Sequence, residues 1–360
     1  MKQDVVSGRQ LNRMALFSVV SILAGTAPAA AARIAGSAGW LAPLFGALPV
    51  LGAAFLLQYM FRRCPARSLD QIFYAVWGAV PGRIILTLYI LWCVLQASFS
   101  LRLYVEHIQA GMFAQTGGAF FALMLLAVCY WASRNKLTVL VRTSAVLFGL
   151  VGLVLIAMLL LALPDYQAAN LLPVNPLKAP SIALSGAAVL GPFGVLIYAQ
   201  FLSGRVNDRE RLGRTGILPL TVAALGGVAL FVFTIGILGA PLTARMQNPF
   251  LIAAKNISGV EGNARLDAFV TALWTMPAFL FISLMSMTAL TLTASVCKLD
   301  DPKSLAGPLQ LLIYVGALSL GAAAADVMAV NESYVQYGHY VFLAGFPILT
   351  LALGKLRREF

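Results

Sequence analysis

The sequence predicts an all-α polytopic membrane protein: ten transmembrane helices in a 5+5 inverted repeat, with helices 1 and 6 broken. Three observations carry this. Hydrophobic residues fill 60% of the 360 positions and charged residues only 11%, against roughly 45–50% and about 25% in a soluble domain. So few charges cannot solvate a water-soluble protein of this size. Apolar runs of about 20 residues, the length that crosses hydrocarbon as a helix, recur along the whole chain. Glycine and proline interrupt the first and sixth of these runs near their middles. A transmembrane barrel needs apolar and polar residues in alternation, and runs such as "LFGLVGLVLIAMLLLAL" do not alternate.

The spans fall at roughly 11–33, 36–60, 84–109, 117–133, 139–163, 181–203, 216–240, 267–293, 305–327 and 337–354. One membrane domain therefore covers 1–360, with repeat one at about 9–163 and repeat two at about 181–354. Segment 66–80, "ARSLDQIFYAVWGAV", is too short and too polar to cross. It reads as an amphipathic helix lying at the surface.

The net charge is +12, and its placement is a topology signal. With the N-terminus inside, 19 of the 25 Lys and Arg fall on the inner side, leaving Arg33, Arg102, Lys178, Arg245, Lys255 and Arg265. Cytoplasmic loops carry such an excess. Both termini are then cytoplasmic, and anionic lipid is the natural neighbour of the basic loops. Nucleic acid is not an expected partner. Lys2, Arg9 and Arg13 before an apolar run ending in Ala29–Ala32 also resemble a cleaved signal peptide. Cleavage would leave nine spans and spoil the charge sorting.

The first interruption is Gly25-Thr26-Ala27-Pro28. Pro28 removes a backbone donor and disturbs the carbonyl of Ala24. Gly25 lets the chain bend and a ligand approach. In hydrocarbon a broken helix survives only where protein or water covers the break. The sixth run holds Gly191-Pro192-Phe193-Gly194 at the corresponding place. Paired interruptions in two halves point to a mid-membrane binding site between them. Glycine and proline are also common in membrane helices, and Gly25 alone reads equally as a packing notch.

Span 3 carries Cys93, Gln96, Ser100, Tyr104 and His107 on one helical face. Such a face turns to the bundle interior, where Gln96 and Ser100 would touch a ligand or bond a neighbouring helix. Arg102 and Glu106 lie on the opposite face near the outer end, spaced for an ion pair. In span 8, Thr275, Ser286 and Thr293 share a face and could hold a small cation, or bond their own backbone. Span 5 has only Arg142, at its inner edge, and no buried acid or lysine to relay protons. Asp326 and Glu332 fall at the outer end of span 9. Cys64, Cys93, Cys129 and Cys297 have no zinc-type spacing. His107 and His339 are far apart, and no HExxH, GxSxG or phosphate-cradling loop occurs. No catalytic residue, metal or cofactor is expected.

Several stretches resemble one known family. "SGRQLNRMALFSVVSILAGT" is similar to the start of the endospore germination permeases, the B subunits of nutrient germinant receptors. "SLDQIFYAVWGAVPGRII", "SRNKLTVLVRTSAVLF", "NLLPVNP" and "NPFLIAAKNISGVEGNARLDAF" resemble its later segments in order and spacing. The resemblance implies membership of the amino acid–polyamine–organocation superfamily and a nutrient-sensing subunit of the inner spore membrane. Its partners would be an A subunit and a lipoprotein C subunit. An amino acid or similar solute would bind between the broken spans, at Gly25, Thr26 and Pro28 and at Gly191, Pro192, Phe193 and Gly194. Members often carry a glutamate after the Pro-aromatic-Gly of span 6, where this chain has Val195. A secondary amino-acid transporter of the same fold is the rival reading, and a structural subunit without a ligand is the third.

Overall fold

The computed structural model describes residues 4–111, 115–257, 265–321 and 335–359. Every regular element among them is helical, apart from one isolated β-bridge between Val6 and Val206. Asp326 and Glu332 lie outside the described residues. All four cysteines are free thiols.

The chain opens on a capping box. Ser7 Oγ accepts the Gln10 N–H at 3.3 Å, and Gln10 Oε1 accepts the Ser7 N–H at 3.0 Å. Two amides that a helix start leaves unpaired are thus satisfied, and "SGRQ" begins α1 (Gly8–Ser18). Two further pieces, α2 (Val20–Ala24) and α3 (Ala27–Ala35), continue the same run. At Gly36 φ is +60°, a conformation that costs a residue with a Cβ dearly. The chain folds back there through a 3₁₀ turn over Gly36–Leu41. Gly39 lies against the backbone of Ala31 and Ala32, and α4 (Ala42–Arg63) returns. The apolar stretch Ala27–Arg63 is therefore two helices joined by a tight turn.

A second capping box, Ser68 with Gln71, starts α5 (Leu69–Trp77). Leu69, Ile72, Phe73 and Val76 are buried while Gln71 is exposed, the amphipathic pattern the sequence predicts. Gly78, at φ +87°, turns the chain into α6 (Ala79–Gly111). Then follow α7 (Gly118–Arg134), α8 (Leu137–Leu161), α9 (Ala179–Phe193), α10 (Val195–Tyr198) and a 3₁₀ tail over Ala199–Arg205. The chain goes on through α11 (Leu212–Leu238), α12 (Ala240–Arg245), α13 (Pro249–Lys255), α14 (Arg265–Cys297) and α15 (Ala306–Ser319). The last described helix is α16 (Gln336–Tyr340), a π-helical segment Val341–Gly345, and α17 (Phe346–Leu356).

Seven helical runs among the described residues are long and apolar enough to cross a membrane. In α8 only 22% of the apolar window is buried, and Leu153, Ile156 and Leu160 stand exposed. An aliphatic surface of that size belongs in hydrocarbon, so the chain is an integral membrane protein. The runs Ala179–Arg205 and Trp274–Cys297 are two-thirds buried by the same measure and form the centre. α6 packs along α14, with α7 and α15 beside both. α4 packs on α9 and α11, and α3 on α9 and α12.

The basic end is clasped by the start of the chain. Asp4 accepts the backbone N–H groups of Leu137 and Thr138 at 2.9 and 3.0 Å, capping α8, and pairs with Arg205 at 3.3 Å. Val6 bonds through its backbone to Arg205 and Asn207, and the Gly8 N–H reaches Asp208 Oδ1 at 2.6 Å. Deeper, buried Asn12 donates to Leu212 O at 2.8 Å and accepts from Gln200 Nε2 at 2.9 Å. These bonds join α1 to α10's tail and α11 where water cannot substitute for them.

Candidate functional site

The first apolar run is interrupted at Gly25 and Thr26. Gly25 has φ −71° and ψ −107°, outside the helical region. Its N–H reaches Ile22 O at 3.2 Å, three residues back, and regular bonding resumes with Ala30 N–H to Thr26 O. Pro28 does not break the helix. It occupies the first turn of α3, where its missing N–H would have had no intrahelical partner. The expected damage to the Ala24 carbonyl is replaced by a helix start that Pro28 favours.

Gly25 opens onto a cavity of about 20 Å³, also lined by Ser100, Tyr104, His107, Asn248 and Trp274. That is room for one water. No Asp, Glu, Lys or Arg lines it among the described residues. His107 is 2% exposed and lies flat on Trp274, with ring centroids 4.9 Å apart and planes at 16°. Neither ring nitrogen makes a well-formed hydrogen bond among the described residues, and the Asn248 side chain lies within reach of the ring. A buried polar group left unpaired costs about 1–3 kcal/mol. Asn248 immediately precedes α13 and sits at the cavity wall. Phe250 of α13 covers Trp274 at 5.3 Å, and Lys255 donates to Ala110 O at 3.3 Å. The helix α13 thus closes the cavity on the side away from the basic end. One turn of α6 below Ser100, Gln96 is buried, and its Nε2 has no hydrogen-bond partner among the described residues.

The sixth run is altered more mildly. Gly194 keeps helical angles, and its N–H bonds Gly191 O at 3.0 Å, an i→i+3 tightening. The space is filled from the last helix. A Cβ on Gly191 would meet His339 Nε2 at 2.5 Å, and one on Gly194 would meet Leu343 at 2.8 Å. His339 Nδ1 is hydrogen-bonded to Tyr198 Oη at 3.0 Å, and the ring lies edge-on to Trp92. Phe193 and Val195 are both buried in this packing.

Comparison with known proteins decides the family. The family described as spore germination protein matches residues 7–321. The chain belongs to the spore germination protein family. A curated relative, spore germination protein KB of Bacillus subtilis (strain 168), is 25% identical over 338 residues, covering 91% of this chain and 90% of that protein.

In this member of the spore germination protein family, the structure brings Gly25 and Ser100 to one cavity, with Thr26 beside Gly25. It places Gly191, Pro192, Phe193 and Gly194 elsewhere, against α16 and the π segment. The predicted face of α6 is buried throughout, from Cys93 to His107. Arg102 and Glu106 pair at 3.1 Å. Thr275, Ser286 and Thr293 do not converge. They are spread along about 16 Å and then 10 Å of helix; Ser286 bonds Gln310, and Thr293 bonds its own backbone at Ala289. Sequence reading missed Asn248 and Trp274, which are remote in the chain, and left His107 as one member of a stripe. Unpaired buried nitrogens are a property of the packed state.

A further hollow of about 710 Å³ is an open trough at the basic end along Val206–Arg211. Its Arg209 is tied to Ala66 O and Gly204 O. It lies at the end of the bundle, away from both interruptions.

Proposed function

We propose that the protein is the nutrient-germinant-binding membrane subunit of a spore germination receptor. A small solute, an amino acid or similar, is recognised in the cavity beside the broken first helix. The observation that carries this is the meeting of Gly25's non-helical backbone with the poorly bonded imidazole of His107 and the Asn248 side chain in one buried space. An interrupted helix offers unbonded peptide groups to a zwitterion, and His107 and Ser100 offer neutral hydrogen bonds. The described cavity holds one water, so binding displaces side chains, and that displacement is what partner subunits would read. An A subunit and a lipoprotein C subunit are the partners the family implies, in the inner spore membrane with both termini cytoplasmic. Val195, buried and apolar, offers a ligand amine no carboxylate.

The helix packing supports a 5+5 repeat of ten spans. Exchanging the halves maps α4 on α9 onto α11 on α1–α3, and α15 on α6 onto α7 on α14; all four pairs are in contact. Likewise α5 packs on the 3₁₀ tail after α10, and α12 packs on α3. The pairs α6–α14 and α4–α11 map onto themselves. The same symmetry favours a second reading, a secondary amino-acid transporter working by alternating access.

A thermal-shift screen of purified protein in nanodiscs against amino acids and sugars tests the first reading. A stabilising solute whose effect disappears in His107→Leu supports it, and no stabilisation by any solute counts against it. Uptake by liposomes holding this protein alone separates the two. Sustained accumulation without partners favours the transporter.

A further inference from the structure

The last helix carries a defect that the candidate ligand site does not use. Residues Val341–Gly345 are π-helical, and the cause is in the sequence. Pro347 has no N–H. It can complete neither an i→i+4 bond to Leu343 nor an i→i+5 bond to Phe342. The Phe346 N–H goes to Val341 O, five residues back. The Phe342 carbonyl is left without a donor from its own helix. Tyr89, fully buried on α6, supplies one: its Oη–H donates to Phe342 O at 2.7 Å. Trp92, a turn along α6, stacks on the Phe342 ring at 4.7 Å and 13°.

The same stretch seats two side chains in the sixth run. His339 occupies the notch at Gly191, and Leu343 the notch at Gly194. Tyr340 Oη–H donates to Ala187 O at 3.3 Å. In a plain α register the Phe346 N–H would return to Phe342 O and release Tyr89. Leu343 O would then be the carbonyl in want, because of Pro347. Pro347 leaves a carbonyl short in either register, and in the π register the one at Phe342 has an outside donor in place. The two differ by one residue, about 100° of rotation. π segments concentrate at functional sites, and helix shifts of this kind are one way packed bundles switch.

We propose that residues 341–345 are a register switch held in the π state by the Tyr89–Phe342 hydrogen bond. Conversion to α turns His339 and Leu343 out of the Gly191 and Gly194 notches and frees the sixth run to move. This stands on the packing of the last helix alone and does not depend on what the protein binds.

The test uses the full chain in nanodiscs, spin-labelled at Leu184→Cys and Tyr337→Cys. Both positions are exposed, at 60% and 67%. Cys297→Ser removes the exposed native thiol, since the other three are buried. Pro347→Ala restores an N–H and lets the α register close fully. The interlabel distance is expected to shift by on the order of 4–5 Å, the displacement of a side chain by a one-residue rotation. Tyr89→Phe removes the outside donor and is expected to shift part of the population the same way. An unchanged distance in Pro347→Ala overturns the switch. A shift in Pro347→Ala without one in Tyr89→Phe overturns Tyr89 as its holder.

Discussion

His107 lies against Trp274 with its ring nearly parallel, and neither of its buried nitrogens makes a well-formed hydrogen bond among the described residues, with the Asn248 side chain within reach of the ring. In a membrane interior this is a costly arrangement to keep. Replacing the imidazole by an apolar group removes the unsatisfied atoms. His107→Leu is therefore expected to match or exceed the parent's stability, by up to about 1–2 kcal/mol, while losing ligand response. Thermal unfolding in detergent and a germination assay read the two effects. A variant that is less stable and fully responsive would assign His107 to packing alone.

Gly25 and Pro28 have opposite expected sensitivities. Gly25→Leu places a branched side chain into a cavity of about 20 Å³ and is expected to abolish response while insertion stays normal. Pro28→Ala sits in the first turn of α3, so its effect on stability should stay under about 1 kcal/mol. Membrane fractionation and response, measured on both variants, check this. Equal loss in the two would mean that the whole segment matters and the cavity does not.

Gly191 is small because His339 needs the space. Gly191→Ala is expected to destabilise the protein by about 1–3 kcal/mol through overpacking. Adding His339→Ala should recover part of that loss, since contacting residues couple by about 0.5–3 kcal/mol. A double-mutant cycle on unfolding free energy measures the coupling. Strict additivity would show that the two side chains do not share this notch.

The clasp at the basic end rests more on capping than on charge. Asp4→Ala exposes the Leu137 and Thr138 amides and is expected to cost about 0.5–2 kcal/mol. The Asp4–Arg205 pair is 22% and 35% exposed on its two sides, and such pairs contribute under about 1 kcal/mol. Asp4→Asn, which keeps an acceptor oxygen, should therefore lose less than Asp4→Ala. Chemical unfolding of both variants at low and high salt decides. If salt alone reproduces the Asp4→Ala loss, the ion pair carries the clasp.

Much of the bundle was readable from neighbouring residues. Ser7 with Gln10 and Ser68 with Gln71 announce helix starts, because a capping box is completed within four residues. The α6 stripe announces its buried face, because helical periodicity places Cys93, Gln96, Ser100, Tyr104 and His107 together. Gly25 announces an interruption for a similar local reason. Pro28 is not settled locally, because whether a proline breaks or begins a helix depends on where the preceding turn ends. Gly191 and Gly194 looked like the twin of the first break. Their outcome depends on His339 and Leu343, side chains that no local pattern assigns to them.

Composition and order of residues alone determined the solvent, the helices and the faces they bury, since hydrocarbon penalises every unpaired peptide group wherever it stands. Only the tertiary structure decided that Trp274 and Asn248 would meet His107, that His339 would fill Gly191, and that Tyr89 would serve the Phe342 carbonyl. Those pairings are set by close packing between distant segments, where a shape must fit its neighbour and a buried polar atom takes whichever partner the fold brings within reach.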